Sequence, residues 1–341
     1  MKTIFVTGGA GFIGSNFCHY IYDNRPDWNI IILDAMTYAG NIENIQGIIQ
    51  ATDRVQFWQG DVNDVELVHD LMSMSDYVVH FAAETHVSRS LYANRVFFQT
   101  DIMGTQSICS AVHKFRSRIK RFIHISTSEV YGTALRDPMD EVHALNPTSP
   151  YAGAKAGADR TVCSYYIAYE IPAVIVRPFN QYGPYQHLEK VVPRFITNML
   201  MGEPLNIHGD GSARRDWVWV GDTVEGIMSM IEAPDDAVLG EVFNLGTGIS
   251  TSVNDLADML SDIMGMEKKV ETVTERLGQV QNHISSTEKL RAATGFEATT
   301  PLREGLEKTI EWYRTHQSWW KHQTWLRKVP VRGADNKLYY W

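Results

Sequence analysis

Thr3-Ile-Phe-Val-Thr7, followed at once by Gly8-Gly-Ala-Gly11-Phe-Ile-Gly14 and a helix-like run to Tyr22, reads as strand, glycine turn and helix in that order. Glycines in such a turn let the backbone approach a pyrophosphate, and the first turn of the following helix offers unpaired N–H groups to its charge. The spacing is Gly-x-x-Gly-x-x-Gly and not Gly-x-Gly-x-x-Gly. A second strand, Asn29-Ile-Ile-Ile-Leu33, ends in Asp34, twenty residues beyond Gly14. A carboxylate there accepts hydrogen bonds from ribose hydroxyls and repels a 2′-phosphate, so the expected cofactor is NAD and not NADP.

Working outward, further short apolar runs alternate with helical stretches. They are Val55-Gln-Phe-Trp58, Tyr77-Val-Val-His-Phe81, Arg121-Phe-Ile-His-Ile125 and Ala173-Val-Ile-Val176. This alternation predicts βαβ units and a Rossmann-like, doubly wound parallel α/β sheet. Ligands on such sheets bind beyond the carboxyl ends of the strands. That rule puts Gly8, Asp34, Asp61, Phe81-Ala82-Ala83, Ser126-Thr127 and Pro178-Phe-Asn180 on one rim. From about residue 183 the pattern changes, with a helix expected over Val191 to Met201, a strand over Pro204 to His208 and another over Arg214 to Val220. The division read from this is an NAD-binding domain over 1–182, to which about 216–250 returns, and a smaller substrate-binding lobe over 183–341 with an aromatic-rich tail.

Two groups on the rim carry chemistry. Tyr151-Ala-Gly-Ala-Lys155 places a lysine one helical turn beyond a tyrosine. An alcohol gives up hydride only as its proton is removed, and a nearby ammonium favours the phenolate that removes it. Thr127-Ser128-Glu129 lies upstream and adds a carboxylate able to take a proton from the carbon beside a new ketone.

Composition fits an enzyme of this kind. The chain has 341 residues, 44% of them hydrophobic, enough for a large core. Its formal net charge of −9 and the absence of a long basic run argue against nucleic-acid binding. Cys18, Cys109 and Cys163 lack metal-ligand spacing, so no metal is expected, and they read as free thiols of a reducing cytoplasm. Neither a signal peptide nor a membrane span is expected. His80 and His124, inside apolar strands, read as satisfied core histidines. The tail tryptophans Trp319, Trp320, Trp325 and Trp341 read as packing on the body or on a partner subunit.

Over residues 1 to about 248 the chain resembles the extended short-chain dehydrogenase/reductases that act on nucleotide sugars, and among them the NDP-hexose 4,6-dehydratases. The resemblance rests on Thr7–Gly14, Thr37-Tyr-Ala-Gly-Asn41, Ala82–Ser90, Ser126–Gly132, Ser149–Lys155, Asn180–Tyr185, Glu189-Lys190 and Arg215-Asp-Trp217. It implies a catalytic set of Thr127, Ser128, Glu129, Tyr151 and Lys155. It further implies that Gly8, Gly11, Phe12, Ile13, Gly14, Asp34, Thr37, Asn41, Asp61, Val62, Phe81, Ala82, Ala83 and Thr100 hold NAD together with Tyr151 and Lys155. Glu84, His86, Arg89, Asn180, Glu189, Lys190, Arg215 and Gln279 are implied on the side of a nucleotide-diphosphate sugar.

The implied reaction oxidises C4, removes water across C5 and C6, and returns hydride to C6, giving a 4-keto-6-deoxy sugar; dTDP-glucose is the favoured substrate. Glu129 is then the C5 base. A homodimer through the Tyr-Lys helix is the family's usual assembly. Ser128 departs from the Thr-Asp-Glu of dTDP-glucose-type enzymes, whose aspartate protonates the leaving C6 hydroxyl. It is similar to the Thr-Ser-Glu of GDP-mannose and nucleotide-linked N-acetylglucosamine dehydratases. One solution is for Glu129 to pass on the proton it has taken. Arg276, Gln279 and His283 stand as alternatives for a diphosphate contact. A UDP-glucuronate decarboxylase, a 4-epimerase and a non-catalytic NAD-binding protein are the competing readings.

Overall fold

The computed structural model describes residues 1–275, 278, 280–332 and 335–340. Seven strands form one sheet: β1 (Lys2–Thr7), β2 (Trp28–Asp34), β3 (Val55–Gln59), β4 (Tyr77–His80), β5 (Arg121–Ile125) and β6 (Ala173–Pro178), with β10 (Val242–Leu245) at the edge. Between β6 and β10 the chain makes β7 (Asn180–Tyr182), β8 (Leu205–His208) and β9 (Arg214–Trp219), and after them β11 (Ser250–Ser252), β12 (Val270–Val273) and β13 (Asn282–His283). The sheet order is β10-β6-β5-β4-β1-β2-β3, every pairing parallel.

Both faces of the sheet are covered, which is why its strands read as continuous apolar runs. Within β1, Ile4 and Val6 point to one face and Phe5 to the other, as the two-residue period requires. The first face packs with Phe17 and Ile21 of the helix Phe12–Asn24 and with Val224, Ile227 and Ile231 of the helix Val220–Glu232. The second packs with Val68, Leu71, Ile108, Val112 and Val162, from helices at 65–73, 105–114 and 150–169. This is the doubly wound α/β sheet expected from the sequence. The strand β10 was not foreseen; it pairs with β6 from Val242↔Ile175 to Leu245↔Pro178.

A separate apolar cluster gathers Phe195, Leu205, Ile207, Trp217, Leu256, Leu260, Leu306 and Ile310. Around it, β9 pairs with β7, β11 and β13, while β8 pairs with β12. The tail joins the same cluster. Trp319 and Trp320 are buried, their indole N–H groups donating to Asn44 Oδ1 at 2.9 Å and Tyr313 O at 2.7 Å. Trp325 is 68% exposed, and Trp341 lies outside the described residues.

Strand order reverses around β1, whose neighbours are β2 and β4. A crevice opens at such a switch point, beyond the strands' carboxyl ends. The candidate site lies there.

Candidate active site

The first wall of the cleft is the glycine turn. Gly8 has φ +71°, and a Cβ built on it would lie 2.6 Å from Ala82 N, because the turn presses against the end of β4. At Gly14 a Cβ would meet Gly8 O at 2.2 Å. Only glycine fits either position. The helix begins at Phe12, and no side chain among the described residues caps its first turn. Across from it, Asp34 is held by two backbone donors, Ala10 N to Oδ2 and Met36 N to Oδ1, both at 2.9 Å. Burial pushes its carboxyl above the usual range, and these two bonds oppose the shift.

The cleft encloses about 420 Å³. Gly8, Gly11, Phe12, Ile13, Gly14, Asp34, Thr37, Asp61, Val62, Phe81, Ala82, Ala83 and Thr100 line it. Glu84, His86, Asn180, Glu189, Lys190 and Arg215 line it as well, as do Thr127, Ser128, Glu129, Tyr151 and Lys155.

The last five side chains are fixed by local structure. Ser149 caps the helix Pro150–Tyr169, its Oγ accepting from Ala152 N at 3.1 Å, and Pro150 occupies the first turn. Tyr151 and Lys155 thus sit one turn apart at a well-formed helix start. Two turns beyond Tyr151, the wholly buried Asp159 accepts from Ser126 Oγ and from Arg177 Nε, both at 2.9 Å, tying the helix to β5 and β6. Although burial alone would raise it, the Arg177 and Arg160 guanidinium groups hold the Asp159 carboxyl below its usual range. Thr127 caps the short helix Ser128–Tyr131 through Glu129 N at 3.2 Å, which turns Glu129 into the cleft.

Lys155 is buried and donates from Nζ to Ile125 O at 2.6 Å. Burial lowers its proton affinity, and the carboxylates of Asp101 and Asp159 oppose that. Burial raises the pKa of the Tyr151 hydroxyl, as do Asp101 and Glu129, while Thr127 and Thr85 oppose the shift, so the neutral phenol is the resting form.

Not every candidate reaches the cleft. Arg89 is set back from the wall: its Nε pairs with Glu189 Oε2 at 2.8 Å, and its guanidinium lies 4.1 Å from the centre of the Tyr38 ring. It therefore holds Glu189 and stands outside the residues that line the cleft. Asn41 is also set back, its Oδ1 accepting from Glu43 N at 3.0 Å to cap a short 3₁₀ turn. His86, at φ 103°, lines the cleft and accepts from Arg89 N at 3.4 Å, capping the short helix Val87–Ser90. His283 is wholly buried against Ser128 and lies off the cleft wall, while Gln279 and Arg276 fall outside the described residues.

His80 is satisfied by Thr7 Oγ1 at 2.7 Å and Thr105 Oγ1 at 3.1 Å. His124 corrects the sequence reading, since among the described residues neither of its ring nitrogens has a hydrogen-bond partner. Burial and the neighbouring Lys155 charge keep it neutral.

Several residues on or behind the wall had not been foreseen. Thr85 follows Glu84 and meets Tyr151. Asn206 and His208 also line the cleft, from alternate positions of β8 whose partners Leu205 and Ile207 are buried. That alternation was readable in the sequence. Asp101 sits behind the wall in the π-helix Phe98–Gly104, with Oδ1 accepting from Glu84 N at 2.8 Å. No short-range pattern marks it.

The sheet, the glycine turn at its switch point and the Tyr-Lys helix define an extended short-chain dehydrogenase/reductase. Residues 5–309 match the family described as GDP-mannose 4,6 dehydratase, and the chain belongs to that family. It is 39% identical over 311 residues to the low-salt glycan biosynthesis protein Agl12 of Haloferax volcanii, covering 91% of this chain and 98% of that one. It is 36% identical to dTDP-glucose 4,6-dehydratase of Streptomyces niveus, covering 97% and 96%. The crystal structure of DesIV, a dTDP-glucose 4,6-dehydratase from Streptomyces venezuelae with NAD and TYD bound, superposes with a TM-score of 0.88 at 36% identity, covering 94% of this chain and 99% of that one.

Proposed function

We infer that the chain is an NAD-dependent nucleotide-sugar 4,6-dehydratase, a hydro-lyase, and propose dTDP-glucose as its substrate. The observation that carries the reading is that Tyr151, Thr127 and Glu129 line the same cleft as the glycine turn. An epimerase needs the tyrosine and lysine alone and leaves Glu129 without work.

The residues present suit NAD. Gly8 and Gly14 leave room where any Cβ would collide, and Asp34 is oriented by two backbone donors at the place where ribose hydroxyls would lie. When bound, NAD supplies the hydride acceptor for C4 and the hydride donor for C6. Tyr151 takes the C4 hydroxyl proton, and the buried Lys155 ammonium stabilises the phenolate that does so. Thr127 orients that hydroxyl. The C4 ketone acidifies the C5 proton, which Glu129 removes as the C6 hydroxyl leaves; Glu129 later returns a proton to C5. Arg215 and Lys190, both on the wall, offer positive charge to a diphosphate.

A homodimer fits the surface. Phe98, Met103 and Ile167 are 42%, 54% and 74% exposed on the packed helices at 98–104 and 150–169. The free thiols of Cys18, Cys109 and Cys163 suit a reducing cytoplasm.

The test is incubation with dTDP-, UDP-, GDP- and CDP-linked sugars, followed by mass spectrometry. Loss of one water from dTDP-glucose supports the reading. Loss of carbon dioxide from UDP-glucuronate, or an unchanged mass with inverted C4, would replace it.

A further inference from the structure

We propose that Ser128 and His283 form the proton path to the departing C6 hydroxyl, Ser128 touching that oxygen and His283 supplying the proton behind it. This rests on the 4,6-dehydratase reading and accounts for how Ser128 works where an acidic residue would be the simpler choice.

The geometry fixes which nitrogen can act. His283 Nε2 lies 2.7 Å from the carbonyl oxygen of Gly132, which can only accept, so Nε2 carries hydrogen in both charge states. The proton that comes and goes is therefore on Nδ1. Nδ1 faces Ser128 Oγ at 3.4 Å, a long hydrogen bond of the kind that tightens when substrate fills a site. The ring is held by its place in β13, in register with Arg215 of β9, and by the edge of Phe179 at 5.9 Å. Ser128 lines the cleft beside Glu129, whereas His283 is wholly buried behind it. His283 is thus a positioning and relay residue, acting through Ser128.

Charges around the imidazole give the relay its timing. Burial keeps His283 below its usual range, Glu129 and the Gly132 carbonyl favour protonation, and Arg215 and His143 oppose it. Arg215 also lines the cleft. A diphosphate paired with Arg215 offsets the opposing charge of Arg215, so substrate binding raises the proton affinity of His283.

The step balances. Glu129 takes the C5 proton, the C5–H electrons become the C5=C6 bond, and the C6–O bond breaks with its pair on oxygen. Ser128 gives its proton to that oxygen while Nδ1 of protonated His283 replaces it, and water leaves. A carboxylate and an imidazolium become a carboxylic acid and an imidazole, so the cleft gains no net charge.

The test compares dTDP-glucose with its 6-deoxy-6-fluoro analogue. Fluoride is a far weaker base than hydroxide and leaves with little acid assistance. His283→Gln keeps a donor for Gly132 and removes Nδ1; Ser128→Ala removes a single oxygen and guards against a folding defect in the first variant. Absorbance of the reduced nicotinamide reports C4 oxidation, mass spectrometry reports water loss, and ¹⁹F NMR reports fluoride. Both variants should oxidise C4 of either sugar, lose water about 10²–10³-fold more slowly and release fluoride within about 3-fold of the parent rate. The parent enzyme's water loss should fall as pH rises through the His283 titration, a limb absent from its fluoride release. Equal slowing of both leaving groups, or unchanged water loss, overturns the relay. A parent enzyme that oxidises neither sugar at C4 overturns the dehydratase reading itself.

Discussion

Lys155 Nζ donates to the carbonyl oxygen of Ile125 at 2.6 Å, joining the catalytic helix to the carboxyl end of β5. The bond positions an ammonium that burial would otherwise discharge, beneath a tyrosine whose phenol burial also disfavours ionising. Lys155→Met should lower C4 oxidation by about 10²–10⁴-fold at neutral pH. The remaining rate should rise toward higher pH, because the phenol then loses its proton without help. A pH–rate profile that keeps the parent's shape would remove Lys155 from the account.

Gly8→Ala tests the cradle. The new methyl would sit 2.6 Å from Ala82 N and 2.8 Å from Phe81 C, on a backbone at φ +71°. Strain of that kind costs about 1–3 kcal/mol before the clash is counted. Titration of the purified variant with NAD should show affinity weakened by tenfold or more, and thermal unfolding should begin earlier.

Glu189 gives the fold a pH dependence. Burial would raise its carboxyl, but His86, His187, Lys190 and Arg89 outweigh burial and hold it at about 2, against 4.5 for the free group. A depressed carboxylate contributes stability that is present above its unfolded value and is lost as pH falls through the folded one. The window is therefore from about pH 4.5 down to about 2, and the contribution at stake is up to about 3 kcal/mol. Glu189→Gln leaves the Arg89 charge without its partner, so it should be less stable than the parent at pH 6. It should also lose less stability than the parent between pH 5 and pH 3. Urea unfolding at these pH values checks both signs.

Much of the fold was legible because a sheet covered on both faces spells its strands as uninterrupted apolar runs. β5 begins and ends at Arg121 and Ile125, as read, and β1 to β4 differ by one residue at an end or two. β10 escaped because Val242–Leu245 is four residues long and joins the sheet only after a long excursion through the second cluster of strands. Many of the residues that line the cleft sit beside glycines or at strand ends, where their chain neighbours mark them. Arg89 and Asn41 stand behind the cleft lining, because a motif names a loop without saying which side chains turn back to hold it. The Ser128–His283 contact spans 155 positions, and nothing in either neighbourhood announces the other.

The most direct measurement follows one atom. dTDP-glucose carrying deuterium on C4 is turned over in ordinary water, and the product is examined by NMR and mass spectrometry. An internal redox cycle predicts a 4-keto-6-deoxy product with that deuterium on C6. Deuterium still on C4, or absent from C6 in a dehydrated product, would contradict it.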